Sequence, residues 1–277
     1  MKADYHEVAR QYSLLSAHYD DWSRIDWHDN VRQQGRALDE LLKDKGFHGP
    51  CRVLDFTCGM GTQVTGLALH GHHVTGLDLS DGQVRRAQAE AQSFDLSVPV
   101  QWIVGDALQA DRHVKGPFDV ILSFGNSLPL LGSLSHIRDA LRVMHGLLKP
   151  GGMILLSLMD YAEKRRTRPH VMQYGRVDNG DRQGIWMETA AWAENGCQYR
   201  SDVYFSFVSP EVKVVHYPFP VLYAIIEEEM RMLLAGCGFQ AVDYKPKDRV
   251  PHFSCPLFMA RKTEDVRQVQ PLSGTGD

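Results

Sequence analysis

Two acids and two glycines hold the densest chemistry in this sequence. Asp55 ends the apolar run VLD, Gly59 and Gly61 lie in the turn after it, and Asp78 ends a second apolar run nineteen residues beyond Gly59. Glycine at a strand-to-helix turn leaves out the Cβ, so the backbone can approach a ligand closely. An acid at the end of the neighbouring strand accepts hydrogen bonds from both hydroxyls of a ribose. The set therefore suits a nucleoside, and its spacing narrows which one. A dinucleotide site spaces its glycines G-x-G-x-x-G and rests a pyrophosphate on a helix N-terminus. Here Val64 stands three residues after Gly61, and Gly66 is out of register. Asp55 would repel a diphosphate and attract a cation or an amino group. A ribose-bearing ligand with a positive amino-acid head fits these residues, and S-adenosylmethionine is such a ligand.

Those residues need a framework. The chain has 277 residues, 43% hydrophobic and 23% charged, which excludes a disordered, collagen-like or coiled-coil chain. That length suits one α/β domain with an inserted or appended subdomain. A net charge of -4 lacks the basic excess of a nucleic-acid binder, so no nucleic-acid partner is expected. Five cysteines without a C-x-x-C pair, a charged opening MKADYHEVARQY and apolar runs too short for a bilayer predict a soluble, cytoplasmic chain without a membrane partner. No metal site is expected: His70, His72 and His73 read as a solvated turn.

Over residues 49–160 the runs CRVLDF, HHVTGLDL, VPVQWIVG, PFDVILSFG and GMILLSL read as buried strands. Helices are predicted at 62–70, 81–93 and 133–148. Unalternating strands separated by helices predict a parallel sheet covered on both faces. Residues 1–48 read as an N-terminal helical cap. Residues 161–222 read as an antiparallel insert that opens with a basic, turn-rich stretch, EKRRTRPHVMQYGRVDNGDRQG. Residues 223–262 carry two last strands, near 239–246 and 256–262, after a helix drawn from LYAIIEEEMRMLLAGCG. The tail 263–277 reads as disordered.

VLDFTCGMG resembles the D-x-x-x-G-x-G motif of class I S-adenosylmethionine-dependent methyltransferases. GLDLS with Asp78, VGDAL with Asp106, PFDVILSFGNS at 117–127 and LLKPGGMILLS at 147–157 follow in the family's order. YSLLSAHYDDW at 12–22 resembles the aromatic entry segment of the family's small-molecule branch, and FGNSLPLL at 124–131 resembles the glycine and sarcosine N-methyltransferases. The resemblance implies a Rossmann-like, seven-stranded, mostly parallel sheet with helices on both faces. An N-terminal helical segment and an antiparallel β insert acting as a lid complete the implied fold. It implies S-adenosyl-L-methionine as methyl donor, with S-adenosyl-L-homocysteine as product. Asp55, Thr57, Gly59 and Gly61 would line the methionine end, Asp78 would take the ribose, and Leu79 would lie beside the adenine. Asp106 would accept from the adenine amino group and Ala107 would follow through its backbone. Phe124 would sit at the methionine carboxyl and methyl end, with Leu130 a turn further on. Tyr12 and Arg32 join this set from the N-terminal segment. The glycine N-methyltransferases are expected to hold the acceptor's carboxylate with an arginine just after the fifth strand. Met159 stands there, with Arg165 and Arg166 shortly beyond, which argues against glycine as acceptor.

Methyl transfer from a sulfonium is an in-line displacement in which the protein supplies alignment and excludes water. An amine acceptor must arrive unprotonated or lose a proton, whereas a hydroxyl benefits from a general base. Asn126 and Ser127 are the candidates for orienting the acceptor, and Tyr19 for closing the cleft near the sulfonium, with Tyr161 beside it. The lid aromatics Trp186, Trp192, Tyr199, Tyr204, Phe205, Phe207, Tyr217 and Phe219 are placed to select the acceptor, to form a subdomain core, or to join two copies of the chain, the N-terminal segment being the other candidate contact of a homo-oligomer. The expected activity is methylation of a small molecule, with an amine or amino-acid nitrogen favoured. The alternatives are O-methylation of a small hydroxylated metabolite and a non-catalytic binder of the same cofactor. A nucleic-acid methyltransferase is disfavoured, because FGNS is not the N-P-P-aromatic pattern used on flipped bases.

Overall fold

The computed structural model describes residues 5–15 and 26–263. Tyr19 and the expected disordered tail beyond residue 263 lie outside the described residues. Helices α1 (Tyr5–Leu15) and α2 (Trp27–Asp44) come first, and Asp26 caps α2 by accepting from the amides of His28 and Asp29. The core then alternates β1 (Arg52–Asp55), α3 (Thr62–Leu69), β2 (His73–Asp78), α4 (Asp81–Ala91), β3 (Gln101–Val104), the short α5 (Ala110–His113), β4 (Phe118–Ser123), α6 (Leu134–Leu147) and β5 (Leu148–Ser157). After α7 (Ala162–Thr167) come four long strands: β6 (Val171–Asn179), β7 (Arg182–Trp192), β8 (Gln198–Ser209) and β9 (Lys213–Tyr223). The chain then returns through α8 (Glu227–Gly236), β10 (Phe239–Lys245) and β11 (Leu257–Lys262).

The main sheet has seven strands in the order β10-β11-β5-β4-β1-β2-β3. β11 alone runs antiparallel to both its neighbours, and the other pairings are parallel. This is the mixed α/β fold the sequence predicts. Its apolar strands divide between two layers by simple alternation. Val53, Val120, Leu122 and Leu155 face α2 and α3, while Leu54, Ile121, Ile154 and Leu156 face α6 and α8. Because strand order reverses between β1 and β4, a crevice opens at their carboxyl ends, where open α/β sheets bind ligands. Asp55 at the end of β1, Asp78 at the end of β2 and Phe124 just past β4 all lie along that edge.

Strands β6 to β9 form a separate antiparallel sheet in consecutive order. Its inner face follows a period of two: Trp186, Glu188 and Ala190 from β7, Tyr199, Ser201, Val203, Phe205 and Phe207 from β8, and Tyr217, Phe219 and Val221 from β9. Helix α1 lies against that face, where Leu15 joins its apolar cluster and Tyr12 meets Phe219 edge-on, ring centroids 5.0 Å apart.

Four sequence expectations need correction. The stretch expected to be basic and turn-rich contains α7 and all of β6, closed onto β7 by a hairpin at Gly180–Asp181 with Gly180 at φ +57°. The helix expected from Leu222 starts at Glu227, because Leu222 and Tyr223 pair with Tyr199 and Gln198 of β8. His72 is buried rather than solvated. Its Nδ1 accepts from the Cys51 amide and its Nε2 lies 3.3 Å from Asp39, so it serves as a structural link. Tyr161 is also fully buried and does not line the cleft. Among the described residues, no helix is long and apolar enough to cross a membrane.

Gly66, the residue out of dinucleotide register, belongs to a helix crossing. A Cβ on Gly66 would fall 2.6 Å from the Val31 carbonyl oxygen, and one on Gly35 would fall 2.6 Å from the Gly66 backbone. The pair brings α2 and α3 into backbone contact, and α3 carries the glycine turn. Gly66→Ala should therefore destabilise the fold by about 1–3 kcal/mol through overpacking, checked by chemical denaturation. An unchanged midpoint would mean the crossing has slack.

Candidate active site

The turn after β1 is built around one carboxylate. Asp78 Oδ2 accepts from the Gly59 amide at 2.9 Å and Oδ1 accepts from the Ser80 amide at 2.8 Å. Ser80, in turn, caps α4 by accepting from Gln83. Asp78 thus ties the glycine turn to the end of β2, and each of its oxygens retains a lone pair. Burial pushes its pKa up, while the amides of Ser80, Gly59 and Leu79 oppose the rise. Gly59 and Gly61 both have positive φ, +51° and +74°. A Cβ on Gly59 would fall 2.8 Å from the Gln83 side chain, and one on Gly61 would run into the Trp102 indole. Non-glycine residues would be strained and crowded at both positions.

Asp55 lies beneath this turn with no exposed surface. Oδ1 accepts from the Thr57 amide at 3.3 Å, whereas Oδ2 is buried without a hydrogen-bond partner. Burial pushes its pKa up from 3.8 to about 7, against the pull of the Thr57 amide, and the neighbouring Asp78 adds to the rise. A cationic group placed nearby would relieve that cost. The glycine cradle, the two-handed Asp78 and the unsatisfied Asp55 oxygen together fit a nucleoside with a positive amino-acid head.

A cavity of about 800 Å³ opens from this turn toward the second sheet. That is large for a single small ligand, since such sites run from about 300 to 1,000 Å³. Of the residues expected in the site, Thr57, Gly59, Phe124, Leu130, Asn126, Ser127 and Tyr12 line it. Asp55, Gly61, Asp78 and Leu79 stand at the same strand edge without lining the cavity. Asp106 and Ala107 follow β3 at that edge, and Asp106 spends its carboxylate on the Leu108 amide and the Gln109 side chain.

Arg32 does not reach the cavity. It points outward, over the ring of Phe94 and beside Asp29, while Asn30 and Gln34 of the same helix line the space. Asn126 and Ser127 reach the cavity but carry internal bonds. Asn126, at φ +64°, donates from Nδ2 to the Tyr161 hydroxyl at 2.7 Å and accepts the Met159 amide at 3.0 Å. Ser127 donates to the Phe124 carbonyl at 2.8 Å. Their geometry fixes the loop after β4 against the end of β5. Arg165 is spent on a two-pronged ion pair with Glu229, at 2.9 and 2.7 Å, and Arg166 is exposed beside Glu163.

Several lining residues were absent from the sequence-level set. Tyr244 arrives from the end of β10, Lys247, Phe253 and Cys255 from the segment between β10 and β11, and Gln173, Glu188 and Ser201 from the second sheet. The first group left no local motif. Glu188 did leave a signal, an acid on the inward phase of W-x-E-x-A. Among the described residues no cluster of histidine, cysteine or carboxylate side chains is arranged to hold a metal ion.

Known proteins resemble this chain in both sequence and fold. Residues 53–152 match the family described as Methyltransferase domain. The ubiquinone biosynthesis O-methyltransferase of Marinobacter nauticus is 28% identical over 161 residues, 57% of this chain and 63% of that protein. The glycine/sarcosine N-methyltransferase of Parasynechococcus marenigrum is 31% identical over 152 residues, 54% of this chain and 52% of that protein. The chain thus spans about half to three-fifths of the length of these curated relatives. In structure, the amino pentose methyltransferase CalS10 of Micromonospora echinaspora superposes with a TM-score of 0.71 at 20% identity, covering 90% of this chain and 97% of that one. The second sheet is therefore part of a shared fold.

Asp55 yields a stability test. Between its ordinary 3.8 and about 7, the folded chain keeps a proton that the unfolded chain releases, so this group's contribution to stability falls as pH rises through that window. The full gap corresponds to about 4 kcal/mol. Without ligand, Asp55→Asn should gain stability relative to the parent from pH 4 to about 7 and then level off, as followed by urea unfolding. A difference independent of pH would contradict the burial of this acid.

Proposed function

We propose that this chain, whose residues 53–152 match the methyltransferase domain family, is a class I S-adenosylmethionine-dependent methyltransferase that transfers a methyl group to a small-molecule acceptor, with a nitrogen as the favoured atom. The observation that carries the reading is the bond from the Gly59 amide to Asp78, set where strand order reverses. Bound there, S-adenosylmethionine supplies a methyl group already activated by the charge on its sulfur.

The remaining work falls to the chain's own residues. Gly59 and Gly61 let the backbone close on the donor, Asp78 has lone pairs left for the ribose hydroxyls, and Asp55 supplies negative charge for the amino-acid end. Phe124, packed on Phe253 at 5.2 Å, and Leu130 form the apolar wall that keeps water from the reacting region. Asn126 acts as a positioning residue, because its bonds to Tyr161 and Met159 hold that wall and leave the side chain little freedom to engage an acceptor. Alignment of this kind is worth about 7–11 kcal/mol in favourable cases.

Nitrogen is favoured because a neutral amine brings its own lone pair to the displacement, and the carboxylates Asp160 and Glu188 in the cavity lining can receive a separate cationic group of the same substrate. The 31% identity to a glycine/sarcosine N-methyltransferase supports the same choice. Met159 in place of an arginine and the engagement of Arg165 by Glu229 speak against a free amino acid held by its carboxylate.

Incubation with methyl-labelled S-adenosylmethionine and a panel of amines, amino acids and phenols, read by mass spectrometry, tests the activity. Label should appear on amines, and label confined to phenols would reverse the choice of atom. Asp78→Ala should weaken S-adenosylhomocysteine binding by about 1–3 kcal/mol in calorimetry. Unchanged affinity in a folded variant would remove the ribose assignment.

A further inference from the structure

Glu188 is a carboxylate at an inward position of a face that is otherwise mostly apolar and aromatic. It is 7% exposed and lines the cavity on the side away from the glycine turn. Its Oε2 accepts from Gln173 Nε2 at 2.7 Å, from the residue directly opposite on β6, and its Oε1 accepts from Ser201 Oγ at 2.8 Å on β8. Both donors are neutral, and among the described residues Glu188 forms no ion pair. A carboxylate has about four acceptor positions, so half its capacity remains. Buried charges are ordinarily paired, and one held only by neutral donors costs stability. Of the lysines that line the same cavity, Lys164 directs its Nζ to the Met172 carbonyl at 2.9 Å.

The surroundings have a matching character. Trp186 sits two residues earlier on the same inward face, and Phe219 and Tyr12 pack edge-on against each other in the cavity lining, so three aromatic rings line the space that Glu188 enters. Aromatic faces attract cations, most strongly where water is excluded. Tyr12 also registers the carboxylate: its phenol is pushed up by burial first and by the charge of Glu188 next.

We infer that Glu188, held by Gln173 and Ser201 and flanked by Tyr12, Trp186 and Phe219, is the binding site for a protonated amine on the acceptor, which makes the acceptor a cationic small molecule. The inference rests on the methyl-transfer reading for its purpose but not for its test. Its role is recognition. The ammonium replaces the missing counter-charge, so a neutral hydroxyl in the same place gains only a hydrogen bond. A purely structural role in joining β6 to β8 would be met equally well by a neutral glutamine.

Matched pairs decide the matter: benzylamine against benzyl alcohol and cyclohexylamine against cyclohexanol, titrated by calorimetry into the full chain with and without S-adenosylhomocysteine. At least one amine should bind at least 10-fold tighter than its alcohol, and E188Q should erase that preference while S-adenosylhomocysteine affinity stays within 2-fold of the parent. E188Q should also melt no lower than the parent, since it keeps the hydrogen bonds and loses the unpaired charge. Equal affinities within both pairs, no amine binding, or an amine preference that survives in E188Q would overturn the proposal. The parent-chain comparison decides even if E188Q fails to fold. If S-adenosylhomocysteine does not bind, the donor reading fails while the amine comparison without it still judges Glu188.

Discussion

The contact on which the rest of the structure depends is the hydrogen bond from the Gly59 amide to the Asp78 carboxylate. Together with the bond from the Cys58 amide to the Leu77 carbonyl, it fixes the glycine turn against the tip of the adjacent strand. Parallel pairing of β1 with β2 brings the ends of both strands to one edge, and reversal of strand order beside β4 leaves that edge open. The Gly35–Gly66 crossing then sets how deeply α3 sits, and so where the turn points. Remove any of these and the same residues would be present without forming a cradle.

The second sheet completes the cavity by a different principle. Its inner face alternates apart from one register shift in each strand pairing, so inward side chains either pack or face the cavity. Phe205 and Tyr217 pack around Leu15 of α1, while Trp186, Glu188 and Ser201 line the cavity. Two buried carboxylates therefore stand in different parts of the fold: Asp55 beneath the glycine turn with one oxygen unpartnered, and Glu188 in the cavity wall of the second sheet with two neutral donors. The burial of Asp55 lowers the stability of the ligand-free chain, a cost natural at sites made for charged ligands.

Much of this could be read from sequence because parallel core strands are buried on both faces and leave unbroken apolar runs, as VLD and DVILS do. The glycine turn and Asp78 were legible because their spacing is fixed by one strand–helix–strand unit. Where only one face is buried, the pattern is weaker: VMQYGRVDN mixes a buried row with a solvated one, and β6 was read as turns. The start of α8 was misplaced because strand pairing of Leu222 and Tyr223 overrides their helical pattern. Arg32 was chosen without knowledge of the phase of α2, which turns Asn30 and Gln34 inward instead. Asn126 was noticed for its chemistry, whereas its positive φ and two internal bonds show a side chain already engaged. The residues between β10 and β11 reach the cavity only through the tertiary fold, which no local pattern encodes.

The most direct test is a crystal structure of the chain with S-adenosylhomocysteine. The ribose hydroxyls should lie within hydrogen-bond distance of the Asp78 carboxylate while the Gly59 bond persists, and the amino group should sit on the Asp55 side of the turn. A nucleoside bound elsewhere, or a glycine turn pulled away from Asp78 to admit it, would contradict the account.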